Sequence, residues 1–128
     1  LEPVYAYLMI AMEQYGNAEL AGWYNVGPDD KDCVTTGELV GIFTDCWEGA
    51  RWYVQGDGGP HEAGFLKLNC DKLKKTFGWK PVWNIRTAVG KTVEFSKLLK
   101  EKHTTADKVA DCMNSQIKDY IGTACKIE

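Results

Sequence analysis

The stretch "NCDKLKKTFGWKPVWNIRTAVG" (69–90) leaves a folding chain few choices. Asp71 is placed to cap a short helix in which Leu73 and Phe77 stand four apart on one face. Gly78 falls where a helix ends in the left-handed conformation, Trp79 can fold back onto that helix, and Pro81 prevents its continuation. Asn84 then caps a longer helix to about Lys102, with Val89, Val93 and Phe95 or Ser96 near its inner stripe. Two helices with a sharp stop between them are predicted.

Weaker signals lie on either side. Pro3 fits the first turn of a helix, where its missing N–H costs nothing. The run that follows to about Tyr15 is apolar nearly all round, which predicts a helix buried on more than one side. "GWYNVG" (22–27) is β-prone and stops at Pro28, so a strand is expected there, then a polar loop "PDDKDC". Thr35 and Glu38 have capping-box spacing, and Leu39, Val40, Phe43 and Trp47 mark one face of a helix to about Glu48. "ARWYVQ" (50–55) reads as a short strand, "GDGGP" (56–60) as a glycine-rich loop and "FLKLN" (65–69) as another extended piece. Thr104 or Thr105 starts a terminal amphipathic helix, 104–121, bearing Val109, Met113, Ile117 and Ile121 or Tyr120. That stripe must cover something, either this domain or a partner. With no repeat and no low-complexity tract, residues 1–128 read as a single unit.

Composition narrows the function classes. At 128 residues, 45% hydrophobic and 12% aromatic, the chain can bury a core and is not disordered. Its longest apolar run, "VYAYLMIAM" (4–12), falls well short of the ~18 residues of a membrane span. The opening "LEPVYAY" has no basic flank and no initiator Met, and reads as a cut inside a longer protein. Five cysteines (Cys33, Cys46, Cys70, Cys112, Cys125) are irregularly spaced without a CxxC or a Cys/His quartet. That argues against zinc and for reduced thiols in a cytoplasmic protein. Residues 1–62 carry 11 acids against 2 bases, and residues 63–128 carry 7 acids against 13 bases. The lysines of the second half are spread over polar helix faces among Glu and Asp, so no nucleic-acid interface is expected.

Much familiar chemistry is missing. No GxGxxG or GxxGxxG loop follows a strand, and there is no Gly-x-Ser-x-Gly elbow, P-loop or HExxH. Only His61–Glu62, after the glycine loop, and Asn25, at the end of the first strand candidate, invite a functional reading. As half of a metal site, His61–Glu62 lacks further ligands, since the other histidine, His103, sits at a helix end. As a catalytic dyad it fails on direction, because neighbours in an extended segment point to opposite faces. Two readings stay open: a solvated loop pair, or a ligand contact in which Glu62 accepts from ribose hydroxyls while His61 lies near phosphate. Asn25 is likewise open between tying down the turn before Pro28 and touching a ligand at a strand end.

In order, "LEPVYAYL", "WYNVGP" and "PHEAGFLKLNCDKLKKTFGWKPVWNIRTAVGKTVEF" resemble the C-terminal part of CDP-glucose 4,6-dehydratases, which are extended short-chain dehydrogenase/reductase enzymes. The likeness runs from Leu1 to about Tyr120. "FGWKP" and "KTVEF" are similar to motifs shared by many nucleotide-sugar dehydratases and epimerases, whereas "HEAGFLKLN" and "LEP" point to the CDP-glucose branch. Two positions depart from the pattern: Asn69 stands where Asp is usual, and Gly64 where a bulkier residue is common.

The resemblance implies an α/β fold, helices with a few short strands that finish a Rossmann-type sheet whose body lies upstream. It implies a reaction on bound NAD: hydride leaves C4 of the hexose, water is lost across C5–C6, and the hydride returns to C6. The glycine-rich cofactor loop, the Tyr-x-x-x-Lys pair and the acid/base carboxylate of such enzymes lie upstream of Leu1. This stretch is therefore expected to hold no catalytic residue, no metal and no NAD of its own. Asn25, Pro60, His61 and Glu62 match positions that contact the nucleotide-sugar, here CDP-glucose. A cytoplasmic homo-oligomer is implied for the full-length enzyme, with no nucleic-acid or membrane partner. The rival readings are a sister nucleotide-sugar epimerase or dehydratase, and a non-catalytic interaction domain docking through its last helix.

Overall fold

A computed structural model describes residues 1–56 and 67–126. Among them the chain forms helices α1 (Glu2–Gly16), α2 (Thr36–Cys46), α3 (Asp71–Phe77), α4 (Ile85–Lys100) and α5 (Ala106–Ala124), with 3₁₀ turns at Ala18–Leu20 and Asp30–Asp32.

Helices α2, α4 and α5 each start where a side chain takes up the first free N–H groups, whereas α1 starts at Leu1 without a side-chain cap. At α2 the Thr35 hydroxyl accepts from the Glu38 N–H at 3.2 Å, and Glu38 Oε2 accepts from the Thr35 N–H at 2.7 Å. The Thr35 backbone N–H, and then its hydroxyl, hold the Glu38 carboxyl below the usual carboxylate range. Asn84 caps α4 by accepting from the Thr87 N–H at 2.9 Å, and the buried Asp32 accepts from the Ile85 N–H at 3.0 Å. Thr105 caps α5 through the Lys108 N–H.

At α3 the expected cap is corrected. Asp71 is the first helical residue, and its N–H is taken by Asn69 Oδ1 at 2.9 Å. The stop is as expected: Gly78 has φ +65°, and Trp79 folds back to 3% exposure. Trp79, Leu73 and Ala6 form the core, with Tyr5, Met9, Ile10, Tyr24, Val26 and Phe77 packed around them. Tyr24 meets Phe77 edge-on at 4.9 Å. Helix α1 thus lies on α3, while α4 packs between α2 and α5 and buries Val89 and Val93.

Three expectations differ from the structure. No strand occurs among the described residues, so the α/β class is not met there; the described fold is helical. A strand needs a partner for its N–H and C=O groups, and neither 22–27 nor 50–55 has a ladder partner among the described residues. Tyr53 and Val54 stand 81% and 82% exposed. Second, α1 is buried on one side only. Third, of the expected stripe on α5 Tyr120 is buried as its alternative to Ile121, but the inner row reaches it through Cys112 and Gln116, leaving Met113, Ile117 and Ile121 at the surface. Polar members of that row have dedicated partners: Gln116 Nε2 donates to the Lys91 carbonyl at 2.9 Å, and the Tyr120 hydroxyl donates to Glu2.

Candidate functional site

The polar loop after Pro28 and the segment entering α3 face one another across an open cleft of about 560 Å³. Two lysines bridge it. Lys67 Nζ lies 3.0 Å from Asp30 Oδ1, and Lys74 Nζ lies 2.5 Å from Asp29 Oδ1. The hydrogen bond to Asp29 pushes the Lys74 ammonium above the usual lysine range. Asn69 and Cys70 complete the wall, with the Cys70 thiol 3.9 Å from the Gly27 carbonyl. The two segments approach closely at Gly27, where an added Cβ would sit 3.4 Å from both Cys70 Sγ and Leu68 Cβ.

Asn25 stands at one end of this seam. Its side-chain amide donates to the Asn69 carbonyl at 3.1 Å, 44 residues along the chain. The bond fixes segment 25–28 against the entry to α3, so Asn25 ties more than its own turn. Pro60, His61 and Glu62 lie outside the described residues, and no distance joins them to Asn25. Lys67 and the residues after it continue the chain from that segment into the cleft wall.

The cleft offers carboxylates, ammonium groups and amides to hydroxyls and carbonyls. Both lysines already face carboxylates, so a diphosphate gains less here than beside uncompensated cations. No three or more His, Cys, Asp or Glu side chains among the described residues are placed to hold a metal ion. The five cysteines are unbridged. No described helix is long and apolar enough to cross a membrane.

A dinucleotide seat needs a tight glycine turn leading into a helix whose first N–H groups are open to pyrophosphate. The first turns of α2, α4 and α5 are closed by Thr35, Asn84 with Asp32, and Thr105. None of these three first turns is therefore open to a pyrophosphate.

This chain is similar to a CDP-glucose 4,6-dehydratase. It is 30% identical to that protein from Salmonella typhimurium strain LT2 over 128 residues, a match that takes in 98% of this chain and 34% of the dehydratase. The likeness read from "LEP", "WYNVGP" and "FGWKP" is upheld. The chain spans about a third of the length of this relative. No protein-family model matches it.

One group escaped the sequence reading. Glu2 appeared only inside the "LEP" signature, yet its carboxylate joins α1, α5 and the 82–83 turn. Its partners lie 80 to 118 residues away, so no local spacing announces them.

Proposed function

We propose that this chain is the nucleotide-sugar-binding part of a CDP-glucose 4,6-dehydratase, the portion that holds substrate while the rest of a longer polypeptide holds NAD. The observation that carries the reading is a likeness covering 98% of this chain but 34% of its relative. Two features support it: the seam that Asn25 closes, and the cleft wall continuing from the segment that contains Pro60, His61 and Glu62. In this reading those four residues contact CDP-glucose, with Glu62 accepting from ribose hydroxyls and His61 near the diphosphate. Chemistry at C4, C5 and C6 of the hexose belongs to residues elsewhere in the enzyme, so this stretch binds and does not catalyse. The enzyme so assembled makes a CDP-4-keto-6-deoxyhexose, a building block for surface polysaccharide. Five unbridged thiols suit a reducing cytoplasm.

The test uses the longer protein that contains this chain. Incubated with CDP-glucose and NAD, it is expected to form the 4-keto product, followed by NMR. His61→Ala with Glu62→Ala is expected to weaken CDP binding at least tenfold by calorimetry. Formation of a 4-epimer instead identifies a sister activity. A longer protein that neither binds CDP nor turns over the sugar is an interaction module, and the reading fails.

A further inference from the structure

The polar loop after Pro28 carries three aspartates, and each is bonded to a different part of the fold. Asp32 is buried and accepts from the Ile85 N–H at 3.0 Å, which anchors the end of the loop on α4. Asn25 anchors its start by donating to the Asn69 carbonyl at 3.1 Å. Between these anchors Asp29 and Asp30 reach across the cleft to Lys74 and Lys67. The Asp29 pair is half-buried, with both side chains 36% exposed, whereas the Asp30 side chain is 90% exposed. Lys67 follows Glu62 by five residues in the sequence. The two bridges therefore join the segment after Asn25 to the segment after Glu62.

We propose that Asp29 and Asp30 are positioning residues for the nucleotide, holding in register the two chain segments that carry its contacts. This rests on the function proposed above, in which Asn25 lies on one of those segments and Pro60, His61 and Glu62 precede the other. Lys74 and Lys67 then serve the aspartates and not the diphosphate. Charge alone argues for the opposite effect. CDP is an anion, so removing a carboxylate from the cleft lowers the repulsion it meets, and loss of Asp29 also releases Lys74 to attract it. Lost positioning weakens binding instead, because the ligand then finds only the fraction of molecules whose segments are in register. The sign of the change in affinity separates the two roles. Its size is bounded, since an exposed ion pair favours one geometry by roughly fivefold at most.

Calorimetry with CDP on the longer protein that contains this chain reads that sign, at a temperature where every variant is folded. Asp30→Asn is expected to weaken CDP about twofold and Asp29→Asn about fivefold. The KM for CDP-glucose should rise by the same factors with kcat unchanged, as for an interaction equal in ground and transition states. In about 1 M NaCl, where the Debye length falls to ~3 Å, the Asp30→Asn deficit should close while that of the half-buried Asp29 pair persists. Asp45→Asn breaks the exposed pair with Arg86 outside the cleft and is expected to leave CDP affinity unchanged. Both cleft variants binding CDP as tightly as the wild type, or more tightly, overturns the proposal. An equal loss in Asp45→Asn, or a fall in kcat with KM unchanged, overturns it too. A wild-type longer protein that binds no CDP overturns the proposed function itself, and this inference with it.

Discussion

The Tyr120 hydroxyl donates to Glu2 Oε2 at 2.7 Å, joining α5 to the first turn of α1 across 118 residues of chain. The other oxygen of that carboxylate accepts from the Val82 N–H at 2.9 Å and the Trp83 N–H at 2.6 Å. Tyr5 and Trp83 pack their rings against Tyr120 at 5.5 and 5.0 Å. One carboxylate therefore gathers three parts of the fold around the Tyr120 ring.

Removing it leaves three donors without an acceptor. Glu2→Ala is expected to cost roughly 2–3 kcal/mol, and Tyr120→Phe, which deletes one donor, roughly 1–2 kcal/mol. Thermal unfolding followed by circular dichroism reads both as a fall of several degrees in Tm. The double variant should lose less than the two singles combined, because they share one bond. A Glu2→Ala chain melting with the wild type would remove this carboxylate from the account of stability.

Alkaline pH probes the same bond. Burial, and then the hydrogen bond to Glu2, push the Tyr120 hydroxyl well above the usual tyrosine range. In the unfolded chain the group titrates near pH ~10. Its contribution is therefore complete below that pH and is lost as pH rises beyond it, because the unfolded state releases a proton that the folded state keeps. The urea-midpoint deficit of Tyr120→Phe against wild type should be full at pH 8 and should shrink towards pH 11. Both chains share the other tyrosines and the lysines, so the comparison isolates this hydroxyl. A deficit constant across that range would contradict the raised pKa.

Elements legible in the sequence were those whose causes lie within a few residues. The capping box of Thr35 and Glu38, the Asn84 cap and the Gly78 stop each span four residues or fewer, and all are present. What could not be read was which apolar surface finds a partner. The run from Val4 to Tyr15 shows an all-round apolar helix, but only its Ala6 side meets α3. In α5 the periodicity favoured Met113 and Ile117 and left Tyr120 or Ile121 open; Tyr120 is the buried one, beside a half-buried Gln116, and their partners sit on α1 and α4. The proposed contact residues rest on resemblance: Asn25 has a distant backbone partner, and His61 and Glu62 lie outside the described residues.

Gly78 isolates a conformational cost from a packing one. Its φ of +65° is left-handed, yet an added Cβ there would meet nothing within 4 Å. Gly78→Ala is expected to destabilise by about 1–2 kcal/mol through backbone conformation alone. Gly78→Asn should cost less, since Asn enters that region more readily. Chemical denaturation of the three chains ranks them. Equal midpoints for Ala and Gly would mean that the turn relaxes to another conformation.

Asn25 separates a structural role from a binding one. Asn25→Ala deletes the donation to the Asn69 carbonyl, worth about 1 kcal/mol. Asn25→Asp removes it too and sets a carboxylate against the Asn69 carbonyl oxygen, so it should be the more damaging change. If Asn25 also touches the nucleotide-sugar, Asn25→Ala in the longer enzyme should weaken CDP binding at least tenfold at a temperature where both proteins are fully folded. Calorimetry supplies that affinity, and thermal unfolding supplies the stability beside it. A lowered Tm with unchanged affinity confines Asn25 to holding segment 25–28 against the entry to α3. A loss of affinity larger than the stability change can explain places its side chain in the binding site.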